Sequence, residues 1–454
     1  MISISKRYAF LIYTILLSVL LTACGGAKEG ATNEWVMTNT EAQSPEKTVS
    51  ILNRAEEVVF AGLQQNDQEL KTLLTAYDLD GEVLWEAEEK LDYGYDAIAE
   101  AAAGGYVVAG GQVYLENTNP TYRNPGVTKY SELGVEEWSV ALADAEFSMI
   151  SIDLDDSDQS YVLTRNWTSV DGISATHFGL HKIDVNGVIV WSKEFSDKGT
   201  NREIHLAVDS VGNSYVAYEL YSGPVVKQFD ADGNQRWDYA IPSDENPYRF
   251  IQALLIDAND RAVIQTTVGK QVIPNFIPPL ASSTYAFTRN GAIAWEYHLP
   301  AESTDYKLNV ESSGMTIDAE GNYYLVQTSN RQDVAVPCPF CEIVTEKLYL
   351  TKLSPEGNEL WQQILTVNHQ AGTDFVSVSD GLVAVINDEY IRAFDSDSGE
   401  LMIEQDNQSI FRHLTGGFIS EEGDFYLISD AEWYRSEYQI EKWVRDSKVA
   451  PGIE

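Results

Sequence analysis

The sequence predicts an all-β protein: a single β-propeller of four-stranded blades, closed by an N-terminal strand. Eight blades is the expected number and seven the alternative. Three observations carry that reading. First, a glycine followed four places later by tryptophan recurs in DLDGEVLW (to Trp85), SELGVEEW (Trp138), DVNGVIVW (Trp191), DADGNQRW (Trp237), TRNGAIAW (Trp295) and SPEGNELW (Trp361), and DSDSGELMI keeps Gly399 with Ile403 in the tryptophan place. The ends of these units lie 53, 53, 46, 58, 66 and 42 residues apart. Second, each unit has another acid-and-glycine turn upstream, leading into an aromatic or aliphatic run. Third, the segments before each repeated glycine, such as VVKQFD, LYLTKLS and YIRAFD, alternate as half-buried strands do. Two hairpins per repeat of roughly 40 to 50 residues make a four-stranded blade, and a blade buries both faces only against its neighbours.

Each unit can be written A–B–C–D, with tight A–B and C–D turns. Strand B is expected at VVFAGL (58–63), GGYVVAGG (104–111), DQSYVLTR (158–165), DSVGNSYVAY (209–218), DRAVIQT (260–266), DAEGNYYLVQ (318–327), DGLVAVI (380–386) and EEGDFYLIS (421–429). The last unit has YQIEKWV (438–444) as strand C and no Gly-x-x-x-Trp hairpin after it. NEWVMTN (33–39), with Trp35 fifty residues before Trp85, would then supply the missing strand D. That pairing leaves no open edge at the seam. The weak stretches are 56–74, as helical as strand-like in composition, and the Ala-rich DAIAEAAAGG (96–105). Trp35, Trp85, Trp138, Trp191, Trp237, Trp295, Trp361 and Ile403 are expected between blades, one per interface. Each buried indole hides about 150–250 Å², roughly 4–6 kcal/mol gross at about 25 cal/mol/Å².

FDADGNQRW (229–237) also resembles a calcium loop. An EF-hand needs further ligands and an acid at its twelfth position. With Asp230 and Asp232 as positions 3 and 5, the first position is Gln228 and the twelfth is Tyr239. Thr288 and Ser354 replace the first acid in other copies. The stretch reads as an Asx-capped turn with glycine in the left-handed position, and no metal is expected.

The 454 residues hold 70 Asp plus Glu against 30 Lys plus Arg, a net charge of −40. Such a surface repels nucleic acid and anionic headgroups. Lys6 and Arg7 precede the apolar run Tyr8 to Ala23, sixteen residues and short for a span of roughly 20. This is the grammar of a secretory signal, with an uncleaved signal anchor as the alternative. Leu21-Thr22-Ala23-Cys24 resembles a bacterial lipobox. The resemblance implies cleavage before Cys24, diacylglycerol on its sulfur, and a fatty acid such as palmitate on the new amino terminus. Two or more chains anchor stably. Gly25 after the cysteine implies the outer membrane, facing the periplasm or the cell surface. The expected domains are a signal peptide (1–23), lipidated Cys24 with a tether (24–34), the propeller (35–446) and a C-terminal tail (447–454).

The repeat resembles those of the pyrroloquinoline-quinone-like propeller superfamily. Ala393-Phe394-Asp395-Ser396-Asp397-Ser398-Gly399-Glu400-Leu401-Met402-Ile403 is similar to that family's A-x-D-x-x-T-G-x-x-x-W motif, with Ser for Thr and Ile for Trp. The resemblance implies the fold over 35–445. The superfamily's quinoprotein enzymes carry adjacent cysteines, a calcium site and a catalytic Asp; no Cys-Cys pair exists here, and no cofactor is expected. The non-enzymatic branch of bacterial lipoproteins implies a scaffold. An envelope protein or polymer is the expected partner. The rival class is an enzyme, either quinoprotein-like or acting on a polysaccharide.

No G-x-S-x-G, H-E-x-x-H or phosphate-binding glycine loop occurs. His177 and His181 lie four apart on expected strand C and could form a metal pair or none. Cys338 and Cys341, in VPCPFCE, read as a local disulfide or as a redox pair. So short a loop contributes about 2 kcal/mol or less. The A–B and C–D turns share one face and are short. The longest B–C loops, 112–126, 268–283 and 330–346, share the other face and offer Tyr114, Tyr122, Phe276 and Phe340 as candidate binding residues.

Overall fold

The computed structural model describes residues 31–445 apart from 40–47, 66–69, 88–92, 117–118, 143–145, 148, 171–172, 198, 221–222, 242–247, 270–278, 300–307, 333–342, 371–374, 380, 388–389, 407–411, 421–422 and 432–437. The described residues form eight antiparallel sheets, seven of four strands and one of five, and no helix.

The first strand, β1, is Ala31–Asn39. Blade 1 is β2 (Thr48–Leu52), β3 (Val58–Gln65), β4 (Leu70–Tyr77) and β5 (Val83–Glu86). Blade 2 is β6 (Tyr93–Glu100), β7 (Tyr106–Glu116), β8 (Asn119–Tyr130) and β9 (Glu136–Ala141), with the two-residue β10 (Glu146–Phe147) also pairing with β8. Blade 3 is β11 (Met149–Leu154), β12 (Ser160–Val170), β13 (Ile173–Ile183) and β14 (Ile189–Asp197). Blade 4 is β15 (Gly199–Val208), β16 (Ser214–Leu220), β17 (Gly223–Phe229) and β18 (Gln235–Ala240). Blade 5 is β19 (Tyr248–Ile256), β20 (Ala262–Gly269), β21 (Pro279–Phe287) and β22 (Ile293–Leu299). Blade 6 is β23 (Leu308–Ile317), β24 (Tyr323–Gln332), β25 (Ile343–Leu353) and β26 (Glu359–Gln370). Blade 7 is β27 (Phe375–Ser379), β28 (Leu382–Ile386), β29 (Tyr390–Asp395) and β30 (Leu401–Asp406). Blade 8 is β31 (Arg412–Ile419), β32 (Phe425–Ala431) and β33 (Tyr438–Arg445), completed by β1 in the order β1-β33-β32-β31.

The core is divided among the blade interfaces. Each of eight apolar clusters joins two consecutive blades. One runs from Tyr161, Leu163 and Leu180 to Val216 and Phe229, for example, and another joins Tyr426 of blade 8 to Val58, Phe60 and Tyr77 of blade 1. Inner strands β2, β6, β11, β15, β19, β23, β27 and β31 each touch the next, and β31 touches β2, so the ring is closed. Strand B, covered on both sides, reads as a continuous apolar run: LVAVI of β28 is buried at every residue. Strand D at the rim buries one side only, so QRWDYA of β18 alternates.

Within 56–74, residues 58–65 and 70–74 are strand, with β3 paired with β4 from Val58↔Tyr77 to Gln65↔Leu70. Packing against Tyr95, Tyr106 and Val108 of blade 2 overrides its mixed propensity. Residues 96–100 of the Ala-rich segment lie in inner strand β6, and 101–105 form the turn that follows it.

Candidate functional site: the two faces of the propeller

The short-turn face is a ring of hydrogen-bonded loops. At Asp230 the turn closes with Asp230 N–H donating to Asn234 O at 2.9 Å and Gly233 N–H to Asp230 O at 2.8 Å. The Asp230 carboxylate accepts the N–H groups of Asp232 (3.1 Å) and Asn234 (2.8 Å). The same pattern repeats at Asp78, Asp184, Asp209 and Asp257, with the hydroxyls of Ser131 and Ser354 as substitutes. Desolvation raises the Asp230 pKa, but the Asn234 backbone and side chain and the Arg236 charge outweigh it and hold the carboxyl below its usual range. Its oxygens therefore serve the backbone. Among the described residues no group of three or more His, Cys, Asp or Glu could hold a metal. His177 is exposed, while His181 is buried with Nδ1 2.9 Å from Ser192 Oγ.

The repeated glycine and the repeated tryptophan meet across blades. Trp237 of blade 4 donates Nε1–H to Arg289 O in the C–D turn of blade 5 at 2.9 Å. Its ring lies where a Cβ on Gly291 (φ +79°) would fall, 2.7 Å from Cδ2. Trp138 with Val185 O and Gly187, Trp191 with Ala231 O and Gly233, and Trp361 with Ser396 O and Gly399 repeat the arrangement. Trp85 and Trp295 lie against Gly134 and Gly357, but their Nε1 atoms have no hydrogen-bond partner among the described residues. At Trp295 the equivalent carbonyl, Pro355 O, accepts Arg261 Nη2 at 2.6 Å instead. Ile403 is fully buried between blades 7 and 8. Trp35 occupies the same rung as the others: it pairs with Lys442 as Trp191 pairs with Lys182 and Trp361 with Lys352.

Those rung lysines are interface residues that the repeat reading missed. Lys352 Nζ donates to Ser396 O of blade 7 at 2.9 Å and lies 3.7 Å from Asp318 and 5.2 Å from the Tyr324 ring centroid. Lys182 repeats this with Ala231 O, Asp155 and Tyr161. Lys442 lies 3.5 Å from Asp424 and 4.0 Å from Asp80 of blade 1, where Tyr426 also donates to Leu79 O at 3.3 Å. The signal was a Lys five places before the repeated glycine, at 129, 182 and 352.

The opposite face carries the B–C connections. The stretch 112–126, expected as a loop, is largely paired: β7 and β8 continue to Glu116↔Asn119, with a register shift where Asn124 takes φ 52°. Val113, Tyr114, Thr121 and Tyr122 favour extended pairing, and Pro120 sits at the hairpin's end. Tyr114 and Tyr122 therefore lie on facing strands, opposite Thr121 and Val113. Blade 3 has a similarly long hairpin, ending at Val170↔Ile173. Phe276, Phe340, Cys338, Cys341 and Cys24 lie outside the described residues. Strand β1 begins at Ala31, inside the expected tether.

Six of the interfaces are built from a tryptophan on the outer strand and a glycine turn on the next blade, and the one between blades 7 and 8 has Ile403 in the tryptophan place. That makes the molecule a propeller of tryptophan-docked repeats. The family model of the outer membrane protein assembly factor BamB matches residues 70–272. That match and the propeller fold support a likeness to the pyrroloquinoline-quinone-like β-propeller superfamily. Among solved structures, it is similar to Chaetomium thermophilum Sqt1 bound to the N-terminus of the ribosomal protein L10, at 10% identity and TM-score 0.50, over 92% of this chain and 99% of that one. That likeness is one of fold. A protein of unknown function from Bacteroides caccae matches at 11% identity and TM-score 0.34, over 74% of this chain and 95% of that one. The search of curated proteins found no match.

Proposed function

We propose that this protein is a lipid-anchored scaffold of the bacterial cell envelope that binds another protein, without catalysis, through the face bearing the B–C hairpins. The observation that carries the reading is the asymmetry of the two faces. One is a ring of short turns in which the leading Asp or Ser bonds the turn's own backbone. The other extends paired strands, as at β7–β8 and β12–β13, beyond what blade packing requires. The match to the BamB family model over 70–272 supports an assembly role, and Cys24 in its lipobox-like context supports the anchor. Aromatic side chains on Pro-containing segments suit such a face.

Replacing Phe276 and Phe340 with Ser is expected to weaken capture of the partner from detergent-solubilised envelope while leaving the melting transition in place. Capture that survives those changes but is lost on altering 230–233 would put the site on the short-turn face. Quinone-dependent dye reduction by the purified protein would instead favour an enzyme.

A further inference from the structure

The direction of β1 fixes which face an anchor at Cys24 can bring toward a bilayer. As strand D of blade 8, β1 runs away from the short-turn face. Ala31 pairs with Arg445, at the end of β33 beside the Ser420–Asp424 turn, and Asn39 pairs with Tyr438 at the other end. The chain therefore enters the propeller at the short-turn edge of blade 8.

Seven residue steps separate Cys24 from Ala31. Whatever their conformation, they reach at most about 25 Å. To lay the B–C hairpins on the membrane, the tether must run back along the whole rim. The eleven-residue strands β7 and β12 rise from the short-turn face toward those hairpin tips, which is roughly 33–36 Å at about 3.3 Å per residue. The tether is too short.

We propose that the anchor holds the propeller with its short-turn face toward the bilayer and presents the B–C hairpins away from it. The tether length acts as the orienting element. This rests on lipidation at Cys24, and the experiment reads the two ideas separately.

The lipidated full chain, carrying Cys338→Ser and Cys341→Ser, is reconstituted into phosphatidylethanolamine–phosphatidylglycerol vesicles with a headgroup-linked energy acceptor. A donor dye is placed at L133C, on the blade 2 C–D turn where Leu133 is 75% exposed, or at S169C, one rung from the blade 3 hairpin end. The expected result is co-flotation with the vesicles and higher transfer efficiency from position 133. Co-flotation with equal or higher transfer from position 169 overturns the orientation alone. Failure to float, with an N-terminal mass lacking acyl chains, overturns the anchor and the orientation with it. A long Gly/Ser insert between Gly30 and Ala31 is expected to abolish the difference. If the difference persists with that insert, the tether is not what orients the molecule.

Discussion

Asp153 and His181 are pushed by burial in opposite directions, so they contribute opposite pH dependences to stability. Asp153 on inner strand β11 accepts the N–H of Val208 from blade 4 at 2.7 Å and that of Leu154 at 2.9 Å. Desolvation outweighs those bonds and raises its pKa from 3.8 to about 6. The folded state then holds this proton more tightly than the unfolded chain does. Stability is gained as pH falls through 6 toward 4 and is lost on the way back up. His181 on β13 is lowered from 6.5 to about 4 by desolvation. Its unfolded form takes up the proton first, so stability is lost as pH falls from 6.5 toward 4. At about 1.4 kcal/mol per unit each effect reaches up to about 3 kcal/mol, and the two largely cancel. Urea denaturation at pH 7 and pH 4.5 checks this. Relative to wild type, H181Q is expected to gain stability on acidification and D153N to lose it. Parallel slopes in both variants would refute the assignment. The sequence singled out His181 only as half of a possible metal pair, and Asp153 not at all, because the burial that shifts each comes from neighbours on other strands.

At the scale of the element, the repeating unit is a turn of one blade seated on an indole of the last. The sequence showed both halves in a single motif, since glycine and tryptophan stand four apart, and it placed the tryptophans between blades without naming what each would meet there. The partner is the glycine of the next hairpin: Gly291 meets Trp237, not Trp295. Stacking of consecutive blades puts Gly291 against a residue 54 positions earlier. The long β7–β8 hairpin was hidden by Asn117, Asn119, Pro120, Asn124 and Pro125, which read as loop residues although Pro120 and Pro125 find places at a hairpin end and beside a bulge. Two glycines separate backbone strain from docking. Gly291 (φ +79°) is pressed by Trp237, whereas Gly381 (φ +72°) has nothing within 4 Å of an added Cβ. G381A is expected to cost the left-handed strain alone, about 1–2 kcal/mol. G291A adds displacement of the indole and of its bond to Arg289 O, a further 1–3 kcal/mol or so. Equal losses in urea denaturation would mean that the docked tryptophan contributes little to the interface.

For the whole molecule the decisive contact is the seam. Seven of the eight sheets are local in sequence, whereas blade 8 joins β1 to β33 across almost the full chain. This pairing supplies the outer strand that blade 8 lacks, and blade 8 then packs on blade 1 through Tyr426, Val58, Phe60 and Tyr77, with Lys442 near Asp80. Without β1, β33 becomes an open edge that offers its backbone groups to other chains. The seam rung would also lack Trp35, the counterpart of Trp191 and Trp361 in the other blades. Deleting 31–39 is therefore expected to lower the melting temperature by several degrees or more and to produce oligomers on size exclusion. A synthetic ATNEWVMTN peptide added in trans should restore the monomer and raise the melting temperature, because it can pair with β33 as β1 does. The same peptide with Trp35→Ala should bind at least tenfold more weakly if Trp35 packs at its rung as Trp191 and Trp361 do at theirs, since burying an indole is worth more than about 1.4 kcal/mol. A deletion variant that stays monomeric with an unchanged melting temperature would show that the ring closes without its N-terminal strand.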